Sequence, residues 1–238
     1  MKLSFRLGTY IAHNPDDAAL LASYGWSAYK DGTMRTSQQV CAAPFYMYAD
    51  TPALAQKLSS RFADLEREVY DSRALEADFD VPMPKGEALR PYQKAGVKYM
   101  MDRPNILLAD SMRLGKTLQA IGLANITETK TSITIPPATA KVNWQRAFMR
   151  FKTFGGDVGV AYGDEWPNTP HVICNYDIAD RHAERIADTE YDQANFDEAH
   201  KLRNFTSART RLLIGDGKKD KGIVRAKKKI FITGTPIF

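Results

Sequence analysis

The sequence predicts an α/β fold: a parallel sheet sandwiched by helices, preceded by a small α+β region at the N-terminus. Three observations predict it. From Asn105 to Thr233, strand-like apolar runs alternate with helix-like segments, the pattern of a parallel sheet whose crossovers cover both faces. Ahead of them, Val81-Pro82-Met83-Pro84-Lys85-Gly86 breaks the chain, because two prolines and a glycine forbid a continuous element. Residues 1–80 lack that alternation and mix short strand-like pieces with helices. At 238 residues the chain can bury a sizeable core. The expected division is an accessory α+β region over 1–80, a linker over 81–88 and an α/β lobe over 89–238.

The elements follow in order. Asn14-Pro15 opens a helix through Leu20 and Leu21, with asparagine as cap and proline in the first turn. Thr51-Pro52 opens a longer one, whose Leu54, Leu58, Phe62, Leu65 and Val69 fall on one helical face. Tyr24, Trp26, Tyr29, Phe45, Tyr46 and Tyr48 are read as core rather than as a base-stacking platform. Strands are expected at 105–110, 132–136, 158–162, 171–175, 192–197 and 229–233. Helices are expected at 117–125, 139–151, 178–188 and 206–214. Ligands of such sheets bind at the carboxyl ends of the strands, so the loops that follow each strand are the ones to inspect.

Hydrophobic content of 44% with 26% charged residues is ordinary for a globular protein. No apolar run is long enough to span a bilayer, and Arg6 interrupts any signal-like stretch at the start. Cys41 and Cys174 have neither metal-site nor disulfide-framework spacing, which suits a reducing cytoplasm. A net charge of +5 permits contact with nucleic acid without requiring it.

Two strings carry the chemistry. Asp110-Ser111-Met112-Arg113-Leu114-Gly115-Lys116-Thr117 follows the first strand of the lobe and leads into a helix. Backbone N–H groups at a helix N-terminus cradle phosphate oxygens, Lys116 neutralises β- and γ-phosphates, and the Thr117 hydroxyl ligates Mg²⁺. Phe196-Asp197-Glu198-Ala199-His200 ends a later strand. There Asp197 can hold Mg²⁺ through its water shell, and Glu198 can orient or deprotonate an attacking water. Either string alone can arise by chance; together, in this order, they point to ATP and Mg²⁺ as cofactors and to hydrolysis. Lys116, Asp197 and Glu198 are the candidate catalytic residues. A third string, Thr233-Gly234-Thr235-Pro236, follows the last strand.

With these residues in view, the chain resembles the superfamily 2 DNA-translocating ATPases of the Swi/Snf type, in a phage or prokaryotic form, over Leu89 to Phe238. Leu89-Arg90-Pro91-Tyr92-Gln93 is similar to the family's glutamine motif, which implies adenine contact by Gln93. Asp110–Thr117 is similar to motif I, which implies nucleotide contacts along that string. Pro136-Pro137-Ala138-Thr139 with Asn143-Trp144-Gln145 resembles motif Ia, Asn175-Tyr176 motif Ib, Asp197–His200 the DEAH motif II, and Thr233–Pro236 motif III. The resemblance implies a RecA-like P-loop NTPase lobe. It implies DNA backbone contacts, without sequence reading, from Pro137, Thr139, Asn175 and Tyr176. It also implies coupling roles for His200, Thr233, Gly234 and Thr235.

The function so implied is that of an ATP-dependent DNA translocase or helicase, represented here by its N-terminal half. DNA is the expected partner, and a second RecA-like lobe on another chain is a candidate partner; no membrane partner is expected. The alternative is a non-catalytic or partner-completed nucleotide- or DNA-binding module. The implied setting is a bacterial or phage-infected cytoplasm.

The sequence also departs from the family pattern. Arg113 stands where the pattern has glycine, and Ser111 where it has an acid. Gln193 and Asn195 fall in a strand expected to be buried on both faces, where an apolar run is usual. Replacing both with Val is expected to raise the melting temperature. Lys218, Lys219, Lys221, Arg225, Lys227, Lys228 and Lys229 are read as a solvated loop at the far end of the sheet.

Overall fold

The structure, a computed structural model, describes residues 1–216 and 221–235. Two compact units divide between Arg73 and Ala74.

In the first unit, β1 (Lys2–Arg6) and β2 (Thr9–His13) form an antiparallel hairpin. Leu7 and Gly8 turn it with φ of 47° and 77°, the two positive values that a two-residue I′ turn demands. After α1 (Ala18–Ser23) come β3 (Ser27–Ala28) and β4 (Met34–Thr36), and the sheet order is β1-β2-β4-β3. Asp17, not Asn14, caps α1: its carboxylate accepts from Leu20 N at 2.8 Å, while Asn14 takes a left-handed turn at φ 49°. The Asn-Pro signal marks that turn, three residues ahead of the helix. After α2 (Gln39–Ala42) and a 3₁₀ stretch, α3 (Pro52–Ser72) starts where expected, with Thr51 Oγ1 accepting from Leu54 N. Leu54 and Leu58 are buried on Leu3, Trp26 and Phe45, but Val69 is exposed, so only the first half of α3 has a core to cover. Of the aromatics, Trp26 and Phe45 are core; Tyr24, Tyr29 and Tyr48 are exposed.

The second unit runs α4 (Pro91–Met101), β5 (Asn105–Leu108), α5 (Lys116–Ile126), β6 (Ser132–Ile135), α6 (Lys141–Phe151), β7 (Val158–Val160), β8 (His171–Ile173), α7 (Ala183–Ala187), β9 (Glu190–Asp197), α8 (Ala208–Ile214) and β10 (Arg225–Ile232). Its six strands pair in parallel in the order β5-β10-β9-β6-β8-β7. Strand side chains alternate between two apolar layers. On one face Ile106, Ile230 and Ile232 pack with Val97, Ile121, Leu123 and Phe148 of α4, α5 and α6. On the other, Ile133, Ile135, Val172 and Phe196 pack with Ile186, Leu202 and Leu213. All strands point the same way, so the loops after β5, β6, β8, β9 and β10 emerge together at one end of the sheet.

Two expectations change. The helix expected over 178–188 is only α7, because residues 175–181 bond as tight turns, Ile178 N to Asn175 O and Arg181 N to Ile178 O. The second half of the basic run is not a solvated loop: Arg225 and Lys227–Lys229 lie within β10, whereas Lys221 is exposed ahead of it. Lys228 Nζ donates to the carbonyls of Met100, Met101 and Arg103, closing the end of α4, and Arg225 donates to Ala187 O at the end of α7. Cations at helix C-termini meet the unsatisfied carbonyls there. Lys227 pairs with Asp192 at 2.7 Å. Lys218 and Lys219 lie outside the described residues.

Candidate nucleotide site

β5 delivers the loop 109–115, and α5 begins at Lys116. Gly115 has φ 75° and its Cα abuts the Gln93 amide, so a side chain there would both strain the turn and strike Gln93. Arg113 also adopts a left-handed φ of 67°. The arginine therefore takes the backbone shape a glycine would give, with its side chain exposed. Lys116 Nζ donates to the carbonyls of Asp110 (2.8 Å) and Ser111 (3.0 Å), folding its ammonium into the loop. Gln119, fully buried, donates to Asp110 Oδ2 at 2.6 Å and fixes where the loop leaves the sheet. At the other end Gln93 Nε2 and Tyr92 Oη both donate to Leu114 O, at 3.1 and 3.2 Å, while Gln93 Oε1 accepts from Arg90 N. The Gln93 amide thus ties α4 to the loop.

β9 ends on Asp197, and Glu198 follows at φ 51°. Asp197 is held at three atoms. Its Oδ2 accepts from Trp144 Nε1 at 2.8 Å, its Oδ1 from Glu198 N at 3.0 Å, and its backbone carbonyl from Tyr176 Oη at 2.8 Å. Glu198 Oε2 lies 3.2 Å from His200 Nδ1, which lies 3.5 Å from Thr233 Oγ1. Thr233 Oγ1 accepts from Thr235 N at 3.2 Å. A Cβ on Gly234 would sit 2.6 Å from Met112 Cγ and 3.7 Å from Lys116 Nζ, so the segment after β10 lies against the phosphate loop. Pro236 lies outside the described residues. The structure therefore brings Met112 and Lys116 to Gly234, and Glu198 to His200 and Thr233.

These groups fit a magnesium nucleotide. An exposed loop with two left-handed residues opens a helix of 11 residues beside a lysine, which is what a phosphate chain requires. Among the described residues no cluster of three or more His, Cys, Asp or Glu could hold a metal alone. Magnesium suits that arrangement, since it takes one or two protein oxygens and keeps phosphates and waters for the rest. The oxygens expected for it from the sequence, those of Thr117 and Asp197, stand at the start of α5 and the end of β9.

The expected DNA contacts divide. Thr139 is exposed and Pro137 half-buried, on the loop that follows β6. Asn175 and Tyr176 are buried, and a side-chain grip on DNA does not suit them: the Asn175 amide turns to Asp177, and burial pushes the Tyr176 phenol's pKa well up while its hydroxyl serves Asp197. Sequence reading missed Trp144, Gln119 and Tyr92 as members of the site. Gln119 is one turn beyond Lys116, which is the signal that could have found it.

Comparison with known proteins agrees with this geometry. The SNF2-related domain matches residues 92–238. "Helicase SWR1" of Debaryomyces hansenii is 32% identical over 73% of this chain and 11% of that protein. The Candida albicans protein of the same name is 25% identical over 98% of this chain and 14% of its own length. This chain thus spans about a tenth of those relatives. Among solved structures, the Sulfolobus solfataricus SWI2/SNF2 ATPase core in complex with dsDNA superposes with a TM-score of 0.55 at 26% identity, covering 66% of this chain and 35% of that one. The bacterial or phage-infected setting expected from the sequence is overturned by the curated relatives, which are fungal proteins. A RecA-like lobe with this loop, this acidic pair and these relatives makes the chain a member of the SNF2-related family, carrying its helicase-like ATPase domain.

Proposed function

We propose that residues 89–238 bind ATP with Mg²⁺ at the carboxyl end of the sheet and hydrolyse it as one lobe of a DNA translocase, with residues 1–80 as an accessory region. The observation that carries this reading is the convergence of three separate loops. Met112 and Lys116 meet Gly234, while Glu198 reaches Thr233 through His200.

The roles follow from the chemistry. The amides opening α5, with Lys116, hold the β- and γ-phosphates; Lys116 first leaves the carbonyls of Asp110 and Ser111. Thr117 and Asp197 hold the metal, which neutralises phosphate charge when bound. Glu198 orients the attacking water and accepts its proton. His200 links Glu198 to Thr233, so a movement of the 233–235 segment reaches the carboxylate. Gln93 shapes the loop from the adenine side. DNA lies across the loop after β6, touched through its phosphates near Pro137 and Thr139. The dsDNA named for the solved neighbour supports that partner.

Charge on the transferring phosphoryl group calls for an arginine, worth roughly 10³–10⁵ in rate in related hydrolases. We assign it to a second RecA-like lobe. Phosphate release from the 238-residue polypeptide is therefore expected to be slow and little changed by duplex DNA. A second lobe, fused or added, restores DNA-stimulated turnover, and Glu198→Gln removes it. Robust stimulated hydrolysis by the polypeptide alone would refute the assignment of the arginine. A second reading, nucleotide binding without catalysis, is favoured by the engagement of Lys116 with its own loop; persistence of slow turnover only in the absence of Glu198→Gln decides against it.

A further inference from the structure

Trp144 and Tyr176 stand in the two segments expected to grip DNA, yet both side chains point inward to one residue. Trp144 is 2% exposed and its indole N–H reaches Asp197 Oδ2 at 2.8 Å; Tyr176 is 5% exposed and its hydroxyl reaches the Asp197 carbonyl at 2.8 Å. Their origins differ. Trp144 lies in α6, which begins directly after the Pro137–Ala140 turn that follows β6. Tyr176 lies in the turn that follows β8. The segments that follow β6 and β8 thus each send one polar group to the residue that ends β9.

The two bonds do different things. An indole N–H only donates, so it takes one lone pair of the carboxylate and leaves the others for a hydrated cation. The Trp144 ring cannot swing freely, because Phe148 packs on it at 5.8 Å and Phe154 packs on Phe148 in turn. The donor direction is therefore fixed by α6. Tyr176 fixes the main chain beneath the same carboxylate, just where Glu198 enters its left-handed turn. With Glu198 N on Oδ1, the side-chain rotation of Asp197 is fully determined.

We propose that Trp144 and Tyr176 are positioning residues for the magnesium carboxylate: they set the orientation of Asp197, and through them the loops after β6 and β8 bear on the metal site. This rests on the magnesium-nucleotide reading given above. Groups that orient a metal ligand from behind typically change metal affinity 10–100-fold when removed. Trp144→Phe keeps a ring in the α6 layer and deletes only the donor. Tyr176→Phe keeps the ring and deletes only the hydroxyl.

The test is the affinity of a fluorescent ATP analogue, measured with Mg²⁺ and with EDTA, for the unaltered protein and both variants. Magnesium tightens the analogue on the unaltered protein. In Trp144→Phe that tightening falls about tenfold or more, with the affinity in EDTA unchanged; Tyr176→Phe shifts it the same way by less. Equal magnesium dependence in all three, with the analogue still bound, overturns this proposal alone. Absence of any analogue binding to the unaltered protein overturns the nucleotide reading, and this proposal with it. A second measurement leaves Trp144 and Tyr176 themselves unaltered. The three tryptophans give three indole N–H signals, and the Trp144 signal, assigned by Trp26→Phe and Trp166→Phe, moves when Mg²⁺ joins the bound analogue. A Trp144 signal that stays in place also overturns the proposal.

Discussion

Replacing the buried amides of β9 tests whether the polar side of that strand is a cost to folding. Gln193 and Asn195 are 1% and 0% exposed. Gln193 Nε2 donates to Ala120 O at 3.0 Å and to Asn195 Oδ1 at 2.9 Å; Asn195 Nδ2 donates to Thr134 Oγ1 at 2.9 Å. Gln193 Oε1 has no partner. Three neutral bonds contribute on the order of 1 kcal/mol each, and a buried orphan oxygen costs about 1–3 kcal/mol. Gln193→Val alone removes the orphan but leaves Asn195 Oδ1 unpartnered, so one cost replaces another and stability falls. Asn195→Val alone leaves Gln193 bonded to Ala120 O and keeps the orphan. The double variant removes both amides, gains apolar burial beside Ile230, the β10 residue that pairs with position 195, and leaves only the Thr134 hydroxyl, which can turn. The expected outcome is a double variant about 1 kcal/mol more stable than the native chain, with a coupling of ~1–1.5 kcal/mol between the two sites. Thermal melting of the native chain, both single variants and the double variant reads this as a rise of about 2–4 °C for a domain of 150–250 residues. A double variant that melts no higher than the native chain would refute the reasoning, and one that melts lower would make the amide chain a net source of stability.

Two further outcomes are expected. Arg113 holds φ 67°, which costs a side-chain-bearing residue about 1–2 kcal/mol; Arg113→Gly should therefore raise the melting temperature slightly despite the added freedom of the unfolded chain, about 0.4–1 kcal/mol, and should change the affinity for an ATP analogue less than twofold. A large gain in affinity would show that the arginine crowds the phosphates. Burial depresses the pKa of His171, as does Lys152 nearby, against the opposing pull of its bond to Gly155 O and of Asp192. Its neutral form is thus the folded one, so its contribution is full above about pH 6.5 and is lost as the pH falls below that towards the folded value. Melting between pH 7.5 and 5.5 should drop more for the native chain than for His171→Gln, and equal drops would count against the assignment.

What the sequence made legible was whatever depends on period and punctuation. Alternating runs announced a parallel sheet because each strand needs a covering crossover, and Thr51-Pro52 announced α3 because the cap and the first turn are local. Less legible was anything decided by a distant partner. Nothing near Tyr176 says that its hydroxyl will meet Asp197, 21 positions on, and its aromatic character fitted a DNA-facing residue equally well. Trp144 sits in a quoted motif, but its bond to a residue 53 positions away appears only when α6 packs against α5, β7 and β8. The amides at 193 and 195 were correctly placed in a buried strand, whereas their partners on α5 and β6 were invisible. Asn14 misled because an Asn-Pro pair suits a turn as well as a cap.

The cations of β10 carry a consequence for ionic strength. Arg225, Lys227 and Lys228 stand in the most basic stretch of a chain with formal charge +5, yet each is committed to a helix-end carbonyl or to Asp192. Binding to a polyanion weakens with salt in proportion to the phosphates neutralised, with a slope of roughly 0.9 per phosphate on duplex DNA. Cations committed to the fold release no counterions on contact. Compositional charge therefore overstates the electrostatic reach of this strand, and a salt titration would register the loops at the other end of the sheet while passing over Arg225, Lys227 and Lys228.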